Sequence, residues 1–213
     1  MNRYIYRRIS AFLIDIFLVT FICTITSSIS YMNPFMGDYK EAYDEYRENY
    51  QSSSEELIKN PTIENVKKYS KNLGKQVYKM DHAMLFNNLY YLLFYFLYFV
   101  VFAYFTDGQT LGKKMFKLRV VNKDGKNASF INLLFRSIFG GSSLFMGVNI
   151  IVVIQLLSLL LPHNQIYLYA SLIISLISYV IEIIALILLF IKNNRSLDDL
   201  VGSTKVIDEV SYV

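Results

Sequence analysis

At 213 residues, 54% of them hydrophobic, with mean hydropathy +0.34 and a formal net charge of +4, the apolar residues are too strongly clustered for an ordinary soluble domain. The basic groups flank apolar runs and do not form one polycationic face, which excludes nucleic acid as the partner. A single cysteine, Cys23, excludes an internal disulfide.

Four apolar runs, 9–30, 84–105, 138–161 and 166–191, approach or exceed the ~17–25 residues that a spanning helix needs. The first follows Arg3, Arg7 and Arg8 and carries one carboxylate, Asp15. A charge near the centre of a bilayer costs about 2.5–3.5 kcal/mol, so Asp15 requires a polar partner. A cleaved signal peptide is the alternative for residues 1–30, with Ser28-Ile29-Ser30 as a loose cleavage site; the length of the run and Asp15 favour a retained span.

Segment 31–83 is nearly balanced, with nine acids and eight bases. Tyr39, Tyr43, Tyr46 and Tyr50 form one helical stripe. Asn60-Pro61-Thr62 reads as a cap with proline at the first helical position. Ile63, Val66, Leu73, Val77, Met80 and Met84 form an aliphatic stripe beyond it. The pattern predicts a helical hairpin outside the membrane, either a sensor or partner-binding cap or an insertion that packs on itself.

Span two is crowded with aromatics, and Tyr95 and Tyr98 need partners for their hydroxyls. The loop 106–137 carries seven bases (Lys113, Lys114, Lys117, Arg119, Lys123, Lys126 and Arg136) against Asp107 and Asp124. The positive-inside rule then places both termini and this loop in the cytoplasm, and 31–83 outside. Within the loop, 117–121 is β-prone, 122–125 has turn chemistry, and Ser129 can cap a helix with Ile131, Leu134, Phe135 and Ile138 on one face. Such a segment is expected in the cytoplasmic interface, with its cations toward anionic lipid. Span three holds Gly140, Gly141, Gly147, Asn149 and Gln155. Span four places Ser171, Ser175, Ser178 and Glu182 on one face, expected to point into the bundle, and the tail occupies 192–213.

Asp15 lies about 9 Å into span one, and Glu182 about 13 Å from the cytoplasmic end of span four, at 1.5 Å per residue. Arg8, seven residues before Asp15, and Arg136 at the mouth of span three are the expected counter-ions. Two carboxylates in one cavity titrate apart, which suits proton- or cation-coupled transport; a static ion-pair lock uses the same residues. Gly108-Gln-Thr-Leu-Gly112-Lys113-Lys114 is too short between its glycines for a phosphate loop. His82 and His163 have no metal-ligand spacing, and no nucleophile–base pair is present, so neither catalysis, metal nor cofactor is expected. Asn127-Ala-Ser129 matches a glycosylation sequon in a loop expected inside.

Three motifs in order, Arg7-Arg8-Ile-Ser-Ala-Phe-Leu-Ile-Asp15, Gly108-Gln-Thr-Leu-Gly-Lys-Lys-Met-Phe-Lys-Leu-Arg-Val-Val121 and Arg195-Ser-Leu-Asp-Asp199-Leu-Val-Gly-Ser-Thr204-Lys-Val206, resemble the RDD family of mostly bacterial membrane proteins. The resemblance covers 1–30 and 84–207. It implies Arg8 (or Arg7) as the family arginine and Asp15 and Asp199 as the aspartates, with Asp198 standing where the family usually has histidine. It also implies a plasma-membrane module suspected of transport or of an accessory role. The expected fold is all-α and polytopic: four transmembrane helices with a helical extracellular insert. A transporting form is expected to be a homo-oligomer in the bilayer.

Overall fold

The computed structural model describes residues 2–29, 36–138, 153–161, 165–190 and 195–209. The chain is mostly helical. The long helices are α1 (Asn2–Ser27), α2 (Met36–Lys59), α3 (Ile63–Phe96) and, later in the chain, α6 (Gln165–Phe190). Three stretches are long and apolar enough to cross a membrane: Tyr4–Thr26, Asn87–Phe105 and Gln165–Ala185. They leave large apolar side chains exposed, Leu13, Phe17 and Phe21 on α1 and Leu172, Leu176 and Val180 on α6 among them. Water would penalise such faces, whereas lipid accepts them. The run expected to form a further span, 138–161, lies outside the described residues over 139–152, and its end is a helical turn at 153–157. Gly140, Gly141, Gly147, Asn149 and His163 lie outside the described residues.

The chain divides into two compact units. The first comprises Met1–Thr26, Tyr90–Asn149 and Ser178–Val213. Here α3 widens into a π-helical segment, Leu97–Phe102, and ends in the turn Ala103–Phe105. Then come α4 (Leu111–Met115), β1 (Leu118–Asn122), α5 (Phe130–Ile138), α7 (Leu197–Val201) and β2 (Thr204–Asp208). Strands β1 and β2 pair antiparallel, with Val120 opposite Val206, so the all-α expectation misses a two-stranded ribbon. β-Branched residues on both strands suit that pairing. Ser129 caps α5, accepting the Asn132 N–H at 3.2 Å.

Leu118, Val120 and Val206 of the ribbon pack with Leu133 of α5, Ala128, Ala11 of α1, and Val100 and Ala103. The short elements thus dock on two apolar helices. Burying each larger aliphatic chain contributes about 1.5–3 kcal/mol. Farther along α1, Cys23 is fully buried with Phe12, Val19, Tyr95 and Phe99, where it serves packing.

The second unit comprises Ser27–Leu89 and Ile150–Ile177. Helix α2 runs against the first half of α3, with Lys79 2.7 Å from Glu45, Lys68 3.1 Å from Glu56, and the Tyr50 and Tyr69 rings 6.4 Å apart. Thr62, not Asn60, caps α3, accepting the Asn65 N–H at 3.2 Å. Proline therefore precedes the cap and does not open the helix. Ile63 and Val66, expected under the tyrosine stripe, stay exposed because α2 ends at Lys59 and does not cover them. Tyr167 is fully buried and donates to Asp81 at 2.7 Å, Asn88 donates to Gln155 at 2.9 Å, and His82 bonds the Ser158 hydroxyl at 3.1 Å.

Candidate functional site

Asp15 is fully buried, and both carboxylate oxygens are occupied. Oδ1 accepts from the Tyr98 hydroxyl at 2.6 Å and the Gly112 N–H at 2.7 Å; Oδ2 accepts from the Thr110 hydroxyl at 2.5 Å. The Lys113 ammonium stands 3.9 Å from Oδ2 and 3.2 Å from the Thr110 oxygen. Tyr98, on the π-helical segment, also accepts the Leu111 N–H at 3.0 Å. Hydrogen bonds to a carboxylate are the strong kind, and three of them replace the hydration that Asp15 gives up in an apolar helix. The Gly-rich motif at 108–114 thus does hold an anion at close backbone approach, and the anion is this chain's own carboxylate.

Gly112 makes that approach possible. A Cβ at this position would run into the Ala11 carbonyl oxygen and come within 2.8 Å of Asp15 Oδ1. Gly108, at φ +84°, turns the chain into the motif and donates to the Ala103 carbonyl at 2.7 Å.

The second cluster is built on Asp199, fully buried at the start of α7. Its Oδ2 accepts from Arg8 Nη2 at 2.6 Å, the Ser196 hydroxyl at 2.9 Å and the Ser196 N–H at 3.2 Å. Its Oδ1 accepts from Arg136 Nη1, which also donates to Thr204 Oγ1 at 2.9 Å. Arg8 donates to the Ser196 hydroxyl and lies over the Tyr4 ring. Burial acts to raise the Asp199 pKa, but the two guanidiniums and their hydrogen bonds outweigh it and hold the carboxyl below the usual range. Asp198 is equally buried and differs in kind. Arg136 Nη2 is 2.5 Å from its Oδ2 but out of hydrogen-bonding alignment, and neither Asp198 oxygen accepts a hydrogen bond. Burial therefore wins there and raises the Asp198 pKa against the pull of Arg136. Arg7 lies outside this cluster, bonded to Asp208 and the Phe116 carbonyl.

Arg8 was expected beside Asp15, two turns on along the same face. It is turned to Asp199, because helical side chains lean toward the N-terminus and carry the guanidinium away from Asp15. Arg136, on α5, likewise meets Asp198 and Asp199 and forms no pair with Asp15. Ser171 and Ser178 are buried and Ser175 half-buried; Ser171 and Ser175 donate to backbone carbonyls of their own helix. Glu182 lies within α6, but its side chain is outside the described residues, so its pairing with Asp15 is untouched by the geometry. Sequence reasoning missed Thr110 and Lys113. It also missed the Ser196-x-x-Asp199 capping box, which was readable from its spacing. Among the described residues no group of three metal-ligating side chains is gathered.

Burial lowers the Lys113 pKa from its ordinary 10.5 to about 8, against the opposing pull of Asp15. A depressed folded value means that charging the amine costs stability. Stability is therefore expected to rise from about pH 8 to pH 10.5, the window between the folded and ordinary values. Thermal unfolding in detergent across that range should show the rise in the parent protein and lose it in Lys113→Met. An equal rise in both would contradict the assignment.

Fold and site together define a membrane protein of apolar helices, one of which, α1, is tied to a small α/β cap by buried Arg8–Asp199 and Asp15–Gly112 contacts. The chain matches the RDD family over residues 4–203 and belongs to it. That match runs across the 31–83 segment that the three motifs leave out. No curated protein and no solved structure matches the chain.

Proposed function

We propose that this RDD protein is a non-enzymatic scaffold or accessory protein of a bacterial cell membrane, in which Arg8, Asp15 and Asp199 lock helices and cap together. In this reading it has four spans, with 138–161 as the third, both termini and the cap in the cytoplasm, and 31–83 outside. The seven bases of 106–137 support that orientation. The observation that carries the reading is the closure of Asp15: fully buried and out of contact with solvent, it has a hydrogen-bond donor on each oxygen, three in all, and a cation nearby.

A second reading, proton- or cation-coupled transport by a homo-oligomer, draws on a different observation. Asp198 is buried without hydrogen bonds. In addition, Tyr95, Lys113, Arg136 and Ser137 line a cavity of about 10 Å³, room for one water.

Asp15→Asn separates the two. The lock predicts a lower yield and a lower unfolding temperature in detergent. It also predicts that the parent protein in sealed vesicles moves no more cation under a pH gradient than empty vesicles do. Robust parental flux, lost in Asp15→Asn at unchanged thermal stability, would overturn the lock in favour of transport.

A further inference from the structure

Helix α5 has one more apolar face than a water-facing helix needs. Leu133 and Arg136 turn inward, to the core and to the aspartates. Ile131, Phe135 and Ile138, spaced i, i+4 and i+7, form a second stripe that is 62%, 49% and 48% exposed. The only charge on α5 is Arg136, and it is locked in the interior, so nothing ionic solvates the outer face. Helix α4 repeats the pattern: Leu111 and Met115, one turn apart, are 44% and 69% exposed, with Lys114 beside them.

The position of α5 says what covers these stripes. The Phe130 ring meets Phe96 at 6.3 Å and Tyr104 at 5.8 Å, both within the apolar stretch Asn87–Phe105. Phe96 lies about 13 Å inside the end of that stretch at 1.5 Å per residue. The start of α5 therefore lies alongside membrane-spanning helix, not beyond its end. Phe105, which closes the stretch, is 77% exposed and extends the same apolar character toward α4.

We propose that α4 and α5 are seated in the interface of one bilayer leaflet, with Leu111, Met115, Ile131, Phe135 and Ile138 in the acyl boundary and the exposed Lys114 and Lys117 at the headgroups. The partner of this surface is phospholipid. Continuity with a lipid-facing helix and the flanking cations favour it over a second protein surface. The cap is thereby a membrane-seated collar and not a domain in bulk water. This holds whether the protein is a scaffold or a transporter.

The chain contains no tryptophan, so each introduced indole is a clean reporter. Phe135→Trp and Ile131→Trp are placed in vesicles containing phospholipid brominated on its acyl chains. Phe17→Trp on the exposed face of α1 and Lys123→Trp in the turn after β1 serve as lipid and water references. The expected result is blue-shifted emission at 131 and 135, quenched by bromolipid to the extent seen at 17, protected from aqueous iodide, and unchanged on diluting protein in lipid. Indoles that behave like the one at 123 would overturn the proposal. Protection from both quenchers that is lost on dilution would also overturn it, and would put a second copy on the stripe. Two positions on one stripe keep the test alive if either variant fails to fold.

Discussion

Asp199→Ala is expected to destabilise the protein by about 3–5 kcal/mol, the cost of removing one member of a buried ion cluster. The loss is large because Arg8, 9% exposed, would keep its charge without its buried carboxylate, and Arg136, 7% exposed, would be left with Asp198 alone. Ser196 would also lose the acceptor for its N–H and hydroxyl, unfastening the start of α7. The adjacent Asp198 supplies the contrast. Its oxygens accept no hydrogen bonds and its burial already disfavours the charge, so Asp198→Asn is expected to cost far less. Unfolding midpoints of the two variants in one detergent, read by loss of the monodisperse peak after heating, give the comparison. Equal losses, or a milder effect at Asp199, would remove the distinction between the two aspartates. The acid limb follows from the same geometry. Stability contributed by the lowered Asp199 is present above its ordinary pKa and is lost as pH falls below it; the raised Asp198 acts in the opposite sense.

The second large effect is expected at Gly112. Gly112→Ala drives a methyl group against the backbone oxygen of Ala11 and toward Asp15 Oδ1, and the forced separation of α4 from α1 breaks the Gly112–Asp15 and Thr110–Asp15 bonds together. Overpacking of this kind costs about 1–3 kcal/mol, and the lost hydrogen bonds place this case at the upper end. The obstacle is backbone, so Ala11→Gly should not rescue it. Gly37→Ala, whose Cβ would meet nothing within 4 Å, is the control and should be neutral or mildly stabilising. Rescue by Ala11→Gly, or equal effects at 37 and 112, would refute the close-approach role.

How legible all this was in the sequence depends on the range over which each interaction acts. The apolar helices were legible from length and hydropathy alone, because the bilayer imposes both. Asp15 announced itself as a carboxylate that needed a partner, but that partner lies 83 to 98 residues away in Tyr98, Thr110, Gly112 and Lys113, and no local periodicity points to it. The same holds for β2. Thr204, Val206 and Ile207 carry β propensity, but five residues ending in Asp208 do not name their partner until β1 is placed beside them. The motif at 108–114 is one residue short of a phosphate loop, and its Gly112 N–H and Thr110 hydroxyl are bonded to Asp15. Its glycines were informative about close backbone approach to a negative group, and sequence could not say that the group was internal. The Arg8–Asp15 pairing failed for a stereochemical reason: equal spacing on a helix puts residues on one face but does not make side chains lean toward each other.

The span of the Arg8–Asp199 contact has a consequence for how the protein is made. The two residues are 191 positions apart. At about 5–20 residues per second, a ribosome adds the aspartate roughly 10–40 s after the arginine. Strand β2 follows Asp199 in the chain, so β1 waits for its partner as well. Throughout that interval Arg8 is without the Asp199 carboxylate, and for its later part β1, once made, has an open strand edge. Whatever receives the chain in the cell must shelter both until α7 arrives, and the assembly of the cap is necessarily a late event in biogenesis.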